Sequence, residues 1–349
     1  MVLPTSSPPP AVVSGATGEV VATRIAPPEF ALLVTNSNGR HVSFVDPRAG
    51  VTARVEVGAA PFGLALGPDR RAYVATAEGI AVVDVGGRRL VALVPYRADV
   101  RSPCFGEYRP GGMGIAVSPD GRHVYVGVHL ASGAGQFEVM DAERLTIEWI
   151  APVGVRPFDV LVSHDGSEAY SIDHDSYSVT VVDTKDRSAR TLPVAPLGRA
   201  AFDKPHYGIV QPDGPILLPF QGRSLAKLDP RTGTIRSTPL TASTHQHGLA
   251  ATADFRRLAI VGTGPAGGAA GGPSLMAVDL DHGREEILPL ARPHESVALS
   301  PDGRRAFLTG GYLFADGGWD GITVVDLQTR SVGEIAVPDR PLDVAVLRP

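Results

Sequence analysis

The segment Val179-Thr180-Val181-Val182-Asp183 is a run of β-branched residues that ends in Asp, and similar short strand-forming runs recur along the chain. Six further copies end at Asp46, Asp84, Asp141, Asp229, Asp279 and Asp326. Successive copies are 38 to 57 residues apart, a spacing typical of the four-stranded blades of a β-propeller. The repeat therefore predicts an all-β chain, folded as one seven-bladed propeller with four antiparallel strands in each blade.

A second repeated element lies upstream of most of these runs. Apolar strands lead into Pro-Asp-Gly turns at Pro119–Gly121, Pro212–Gly214 and Pro301–Gly303. Pro presets φ and Gly supplies a positive φ, so each turn is expected to join the first two strands of a blade.

The two ends of the chain supply complementary parts of one blade. Three strands are predicted between Ala31 and Val57, and a single strand, Pro341–Leu347, ends the chain. We expect these parts to pair and close the ring, because closure leaves no long open edge. The prediction is thus an N-terminal extension over residues 1–28, partly irregular, followed by a propeller over residues 29–349.

Two of the repeats also carry a family resemblance. They read Arg-Pro-Phe-Asp-Val-Leu-Val-Ser-His-Asp-Gly over Arg156–Gly166 and Arg-Pro-His-Glu-Ser-Val-Ala-Leu-Ser-Pro-Asp-Gly over Arg292–Gly303. This framework resembles the YVTN-type seven-bladed propellers and their lactonase-like relatives, and the resemblance covers nearly the whole chain. It implies the fold and adds some weight to lactone hydrolysis. It carries over no catalytic residue, since such propellers include enzymes, electron-transfer subunits and binding platforms.

Charge and composition exclude several classes of partner. The net charge is −5, the pI is near 6.1 and there is no Lys- or Arg-rich run, so a nucleic-acid surface is not expected. No apolar run approaches the roughly 18 residues of a membrane helix. Cys104 is the only cysteine, and residues 1–18 lack the features of a secretory signal. We expect a cytoplasmic protein, monomeric or weakly oligomeric, although the mature form of a secreted protein fits the same sequence.

The predicted loops differ between the two faces of the ring. The long ones, Tyr96–Gly112, Thr263–Ser274 and Thr309–Gly321, all open on one face, and tight turns dominate the other. Long loops on a rigid scaffold commonly carry binding residues, although drift in tolerant loops gives the same pattern. We therefore place the working site at this mouth of the central channel.

Histidines are concentrated at the same mouth. His206, His247 and His294 lie just before the innermost strands of three successive blades, and Glu295 adjoins the last of them. Converging imidazoles suit a divalent ion such as zinc, iron, copper, nickel or manganese. We predict these three histidines as metal ligands, with Glu295 and His174 as catalytic residues. The alternative is a hydrogen-bonded polar lining of a wet channel.

Other side chains on this face are candidates to contact a substrate, although each also fits ordinary loop packing. They are Tyr207, Tyr108, Arg109, Glu107, Tyr312, Trp319 and His129. Asp159 and Asp343 are candidates to orient metal-bound histidines. These candidate residues together predict a metal-dependent enzyme that acts on a small metabolite. The reaction expected is that of a lyase, a cyclase or isomerase, or a lactone hydrolase. The alternative is a non-catalytic propeller that binds a ligand or a protein.

Overall fold

The computed structural model describes residues 30–195, 204–220, 222–244, 248–266, 272–311 and 317–348. Its strands, in chain order, are β1 (Ala31–Asn36), β2 (His41–Asp46), β3 (Gly50–Glu56), β4 (Leu64–Leu66), β5 (Arg71–Ala75), β6 (Gly79–Asp84), β7 (Arg89–Pro95), β8 (Gly111–Val117), β9 (His123–His129), β10 (Gly135–Asp141), β11 (Thr146–Val153), β12 (Pro157–Val162), β13 (Glu168–Asp173), β14 (Ser178–Asp183), β15 (Ala189–Pro193), β16 (Ile209–Val210), β17 (Ile216–Phe220), β18 (Ser224–Leu228), β19 (Ile235–Pro239), β20 (Leu249–Ala251), β21 (Arg257–Gly262), β22 (Ser274–Asp279), β23 (Arg284–Pro289), β24 (Val297–Leu299), β25 (Arg305–Thr309), β26 (Gly321–Asp326), β27 (Val332–Ala336) and β28 (Pro341–Leu347). A short 3-10 helix, His174–Ser176, follows β13.

Within these ranges the strands form seven four-stranded antiparallel sheets, which are the blades of a propeller. Blade 1 has the strand order β28-β1-β2-β3, and blades 2 to 7 each use four consecutive strands, from β4–β7 to β24–β27. The innermost strands β28, β4, β8, β12, β16, β20 and β24 contact one another in turn around a closed ring. The predicted all-β seven-bladed propeller is confirmed. Among the described residues, no helix is long and apolar enough to cross a membrane.

The ring closes through the two ends of the chain, as the strand pattern predicted. Strand β28 pairs antiparallel with β1, with Ala31 opposite Leu347 and Val34 opposite Val344. Beyond the paired strands, the backbone N–H of Ser37 donates to the carbonyl of Arg340 at 2.9 Å. The predicted extension, residues 1–28, lies outside the described residues.

The repeated Asp residues have a structural role. In blade 4, Asp183 Oδ1 accepts the backbone N–H groups of Lys185 and Asp186 at 2.8 and 2.9 Å. This bond set fixes the turn between the third and fourth strands, because a short carboxylate can satisfy successive backbone donors in a turn. Asp46 does the same in blade 1, accepting from Arg48 and Ala49. The residue that reveals the repeat is therefore the one that shapes a turn on the face opposite the predicted site.

Apolar side chains fill the spaces between adjacent blades. Leu33 and Phe44 of blade 1 pack with Val74 and Val83 of blade 2 in one buried cluster, and similar clusters separate other blade pairs. The inner and middle strands are β-branched and aromatic because both of their faces are covered by neighbouring blades. This packing fixes where each innermost strand begins, and those beginnings form the floor of the site.

Candidate functional site

The floor of the channel mouth is partly apolar. Phe62, Met113, Phe158 and Leu342, at equivalent positions of four blades, form a buried cluster. His206, which holds this position in blade 5, stacks on Phe158 with ring centroids 3.9 Å apart and ring planes within 4°. Beneath the floor, a channel cavity of about 180 Å³ is lined by residues of the innermost strands.

Two imidazoles and a carboxyl group meet above this floor. The rings of His174 and His206 are 4.2 Å apart between centroids, and both are buried. Glu107, on the connection from β7 to β8, places its Oε1 3.8 Å from His206 Nε2. Burial, followed by the negative charge of Glu295, raises the pKa of Glu107 from its ordinary value of 4.5 to about 7. This carboxyl group therefore changes its protonation state near neutral pH.

A tyrosine and a second glutamate stand beside this group. The Tyr207 hydroxyl donates a hydrogen bond to Glu295 Oε1 at 3.1 Å. Burial, and then the charges of Glu295, Asp343 and Asp159, raise the pKa of Tyr207 well above its usual value. The phenol therefore keeps its proton at physiological pH and remains a hydrogen-bond donor.

A group of charged side chains adjoins His174 at the same mouth. Asp175 Oδ1 lies 2.7 Å from His174 Nδ1, and Arg156 Nη1 lies 2.9 Å from Asp175 Oδ2. Lys204 Nζ is 3.6 Å from the same carboxylate. Burial alone would raise the pKa of Asp175, but the hydrogen bond with His174 and the two cations outweigh it and lower the pKa to about 2. The guanidinium of Arg156 also lies over the ring of Tyr108, 3.8 Å from its centroid.

The loop that carries Glu107 and Tyr108 is fixed at its base by a buried carboxylate. Glu138, on β10, accepts the backbone N–H groups of Arg97 and Ala98 at 2.8 and 2.6 Å. Hydrogen bonds to a charged acceptor are stronger than neutral ones. Glu138 therefore helps to hold the loop over the channel mouth.

The remaining predicted contact residues have varied surroundings. The guanidinium of Arg109 is buried and donates to the backbone carbonyls of Ala60 and Gly112, both at 2.8 Å, so it ties the loop down from within. Trp319 Nε1 donates to the carbonyl of Pro293 at 3.0 Å. His129 is buried at the end of β9, and its Nδ1 has no hydrogen-bond partner among the described residues. Tyr312 lies outside the described residues.

Two of the three predicted metal ligands, His206 and His294, lie in the described part of the chain. His294 Nε2 lies 2.6 Å from Thr323 Oγ1 on β26, whereas His206 contacts His174 and Glu107. His247 lies outside the described residues. Among those described, no group of three or more His, Cys, Asp or Glu side chains is arranged to hold a metal ion. The three-histidine site stays a prediction.

Asp159 and Asp343, predicted to orient histidines, link neighbouring innermost strands instead. Asp159 Oδ2 accepts the N–H of Gly208 at 3.0 Å, and Asp343 Oδ2 accepts the N–H of Leu64 at 2.9 Å. Burial raises the pKa of Asp159 to about 7 and that of Asp343 to about 6.

Three residues of this site were not among the residues predicted for it: Arg156, Asp175 and Lys204. Asp175 directly follows a predicted catalytic histidine, and this adjacency was a usable signal. Glu107 lies on a loop that the sequence assigns to the correct face, but no local pattern shows that the loop folds back onto His206. Arg156 belongs to an Arg-Pro repeat that looks like part of the framework.

The fold defines the chain as a seven-bladed β-propeller with its polar cluster at one mouth of the channel. No protein-family model matches the sequence, and no curated protein matches it either. Solved structures do match. The periplasmic gluconolactonase of Pseudomonas aeruginosa has a TM-score of 0.65 and 20% identity, with 92% of this chain and 99% of that chain covered.

Two further structures show the same architecture. A functionally unknown protein from Desulfotomaculum acetoxidans has a TM-score of 0.66 and 11% identity, with 91% of this chain and 99% of that chain covered. The dihydro-heme d1 dehydrogenase NirN has a TM-score of 0.57 and 18% identity, with 93% of this chain and 78% of that chain covered. At these identities the likeness shows the propeller fold, and the chemistry has to be argued from the site.

Proposed function

We propose that the protein is an enzyme that hydrolyses a lactone at the channel mouth by general acid–base catalysis. The observation that carries the proposal is the buried carboxyl group of Glu107, held 3.8 Å from His206 with a pKa of about 7. A group that titrates near the working pH is suited to accept a proton and to return it. The likeness in fold to a gluconolactonase supports a lactone as the substrate class.

The reaction needs one proton to be moved twice. The Glu107 carboxylate takes a proton from water as the water oxygen forms a bond to the lactone carbonyl carbon. When the resulting tetrahedral intermediate collapses, the bond between that carbon and the ring oxygen breaks, and Glu107 returns the proton to the ring oxygen. His206 contacts Glu107 and orients it, and the Tyr207 hydroxyl would turn its one proton from Glu295 to the developing oxyanion.

The test compares Glu107→Gln with wild type in the hydrolysis of glucono-γ-lactone, corrected for spontaneous hydrolysis. Loss of a general base typically lowers the rate by about 10²- to 10⁴-fold, and we expect a loss in kcat of this size. Glu143→Gln, an exposed change on the opposite face, is the matched control and should be silent. Wild-type turnover by Glu107→Gln would refute the role of Glu107. Absence of turnover by the wild type on a panel of γ- and δ-lactones would refute the lactonase proposal.

Metal dependence is a separate proposal, supported by the sequence positions of His206, His247 and His294. A divalent ion held there would polarise the lactone carbonyl. His294 Nε2 contacts Thr323, so this histidine would bind a metal through Nδ1, with Thr323 orienting the ring. Elemental analysis of wild type and His206→Ala after mild dialysis tests it: one metal per chain, lost in the variant, would support the site, and a metal-free active enzyme would refute it.

A non-catalytic binding propeller is the second candidate. Phe105 and Tyr108 are 50% and 62% exposed on the loop at the rim, which suits contact with another molecule. If the wild type turns over no lactone, while Phe105→Ala and Tyr108→Ala abolish a binding interaction, this candidate replaces the enzyme.

A further inference from the structure

Arg156 is a buried cation with incompletely satisfied hydrogen-bonding groups. Only 7% of the residue is exposed, and its Nε has no hydrogen-bond acceptor among the described residues. Nη1 is paired with Asp175 at 2.9 Å, but without the alignment of a hydrogen bond. A guanidinium presents five N–H donors, and burying such a donor without an acceptor is costly. The side chain is therefore poised to receive a further acceptor.

A second buried donor or acceptor atom without a partner lies on the neighbouring blade. His129, at the end of β9, is 6% exposed, and its Nδ1 lacks a partner among the described residues. Burial, followed by the charge of Arg156, lowers the pKa of His129, which indicates that the two side chains share one electrostatic environment. Buried side-chain nitrogens without a hydrogen-bond partner among the described residues thus occur on blade 3 and on the connection into blade 4, in the same part of the channel mouth.

Two cations share one carboxylate at this part of the mouth. Arg156 and Lys204 both pair with Asp175, the one carboxylate that lies within ion-pair distance of either in the described residues. Asp175 therefore cannot satisfy all the N–H donors of the two cations, and an anionic group of a ligand could accept from those that it leaves. The ring of Tyr108 covers the guanidinium, but Tyr108 is 62% exposed as a residue, so a ligand can approach from the solvent by displacing this side chain.

We propose that Arg156, together with His129 and Lys204, forms a subsite for a carboxylate group of the substrate. The substrate class is then a lactone that also carries a carboxylate, with its ring over Glu107 and its charged end beneath Tyr108. This proposal rests on the proposed function for the lactone part, but anion binding by Arg156 can be measured without turnover. Arg is suited to the role because its planar fork matches the two oxygens of a carboxylate.

The test uses two probes that differ in one group. Glucaro-γ-lactone carries a terminal carboxylate where glucono-γ-lactone carries a hydroxymethyl group. We expect Arg156→Met to lower kcat/KM for the glucaro-lactone about 10- to 100-fold, the usual range for a lost charged hydrogen bond, and to change the value for the glucono-lactone less than about threefold. Arg156→Lys should retain part of the preference.

Arg187→Met is the matched control. Arg187 has a left-handed backbone, with φ of 65° against 56° for Arg156, and it also lies over an aromatic ring, that of Trp149, at 5.4 Å. It stands in the turn between β14 and β15, on the opposite face, so its substitution should change neither probe. An equal loss of both lactones in Arg156→Met would overturn the carboxylate subsite while leaving the lactonase proposal intact.

Calorimetric binding separates this subsite from the proposed reaction. Glucuronate and glucose differ in the same carboxylate, and neither contains a lactone to hydrolyse. Tighter binding of glucuronate by wild type, lost in Arg156→Met but kept in Arg187→Met, would support the subsite even if no lactone is turned over. Equal affinity of wild type for the two sugars would overturn it.

Discussion

Replacing Glu107 by glutamine should stabilise the protein at alkaline pH, because the native state holds this carboxylate in unfavourable surroundings. Burial and the charge of Glu295 raise its pKa from 4.5 to about 7. A group whose folded pKa is raised contributes stability that is fully present below its unfolded pKa and lost as pH rises through its folded pKa. The wild type should therefore lose the contribution of Glu107 between about pH 4.5 and pH 7.

The magnitude follows from the size of the pKa change. A rise of about two and a half pH units, at about 1.4 kcal/mol for each, corresponds to roughly 3 kcal/mol. The amide introduced by Glu107→Gln does not titrate, so the free energy of unfolding of the variant minus that of wild type should increase by about 3 kcal/mol between about pH 4 and pH 8. The value of about 3 kcal/mol is an upper limit, because local rearrangement around an ionised carboxylate reduces the difference in the free energy of unfolding.

Urea unfolding monitored by tryptophan fluorescence at a series of pH values measures the difference directly. Groups that titrate equally in both proteins cancel when the two curves are subtracted, and the exposed change Glu143→Gln should give a flat difference. A flat curve for Glu107→Gln would refute the reasoning, since it would mean that Glu107 has the same pKa in the folded and unfolded chains.

Three further predictions concern the loop, the second carboxylate and the ring closure. Glu295→Gln keeps an acceptor for the Tyr207 hydroxyl but removes the negative charge that is the second cause of the raised Glu107 pKa. The midpoint of the rise of kcat/KM with pH should therefore fall by up to about one pH unit, and an unchanged midpoint would contradict the coupling. Glu138→Gln weakens the hydrogen bonds from the backbone N–H groups of Arg97 and Ala98 at the base of the Glu107 loop. Hydrogen exchange of these two amides should therefore become about tenfold faster or more, and KM should rise. Unchanged exchange would show that other contacts hold the loop. Deletion of residues 340–349 removes β28 and exposes β1, so the free energy of unfolding should fall by several kcal/mol; a truncated chain that melts like the full chain would refute closure by the chain ends.

The fold was predictable because the repeat signals are local and redundant. Asp183 fixes a turn by accepting two backbone N–H groups, and the same chemistry is required wherever the third strand of a blade ends. In the same way, Gly121 has a φ of 74° in the hairpin that the Pro-Asp-Gly pattern predicts. Each such signal depends only on residues a few positions apart, so the sequence displays it directly.

The site was only partly predictable because its contacts join residues that are distant in sequence. His206 was assigned to this mouth by its register and His174 by its place at the end of the second strand of a blade, and the structure brings their rings together. The contact between Glu107 and His206 spans almost a hundred positions and depends on how one long loop folds back. The role of His294 stays a prediction: its Nε2 contacts Thr323 of its own blade, a contact that the sequence position does not show.

The ionisable groups of the channel mouth occur where the blades differ from one another at equivalent positions. At the position occupied by Phe62, Met113, Phe158 and Leu342 in four blades, an apolar side chain seals the floor. Blade 5 places His206 there and blade 7 places Glu295, so the same framework that buries a phenylalanine now buries groups that can be charged. Burial raises the pKa of the neighbouring Glu107 to about 7. The same raised pKa has two consequences: ionisation of Glu107 lowers the stability of the folded protein, and the carboxyl group is suited to its proposed proton transfer.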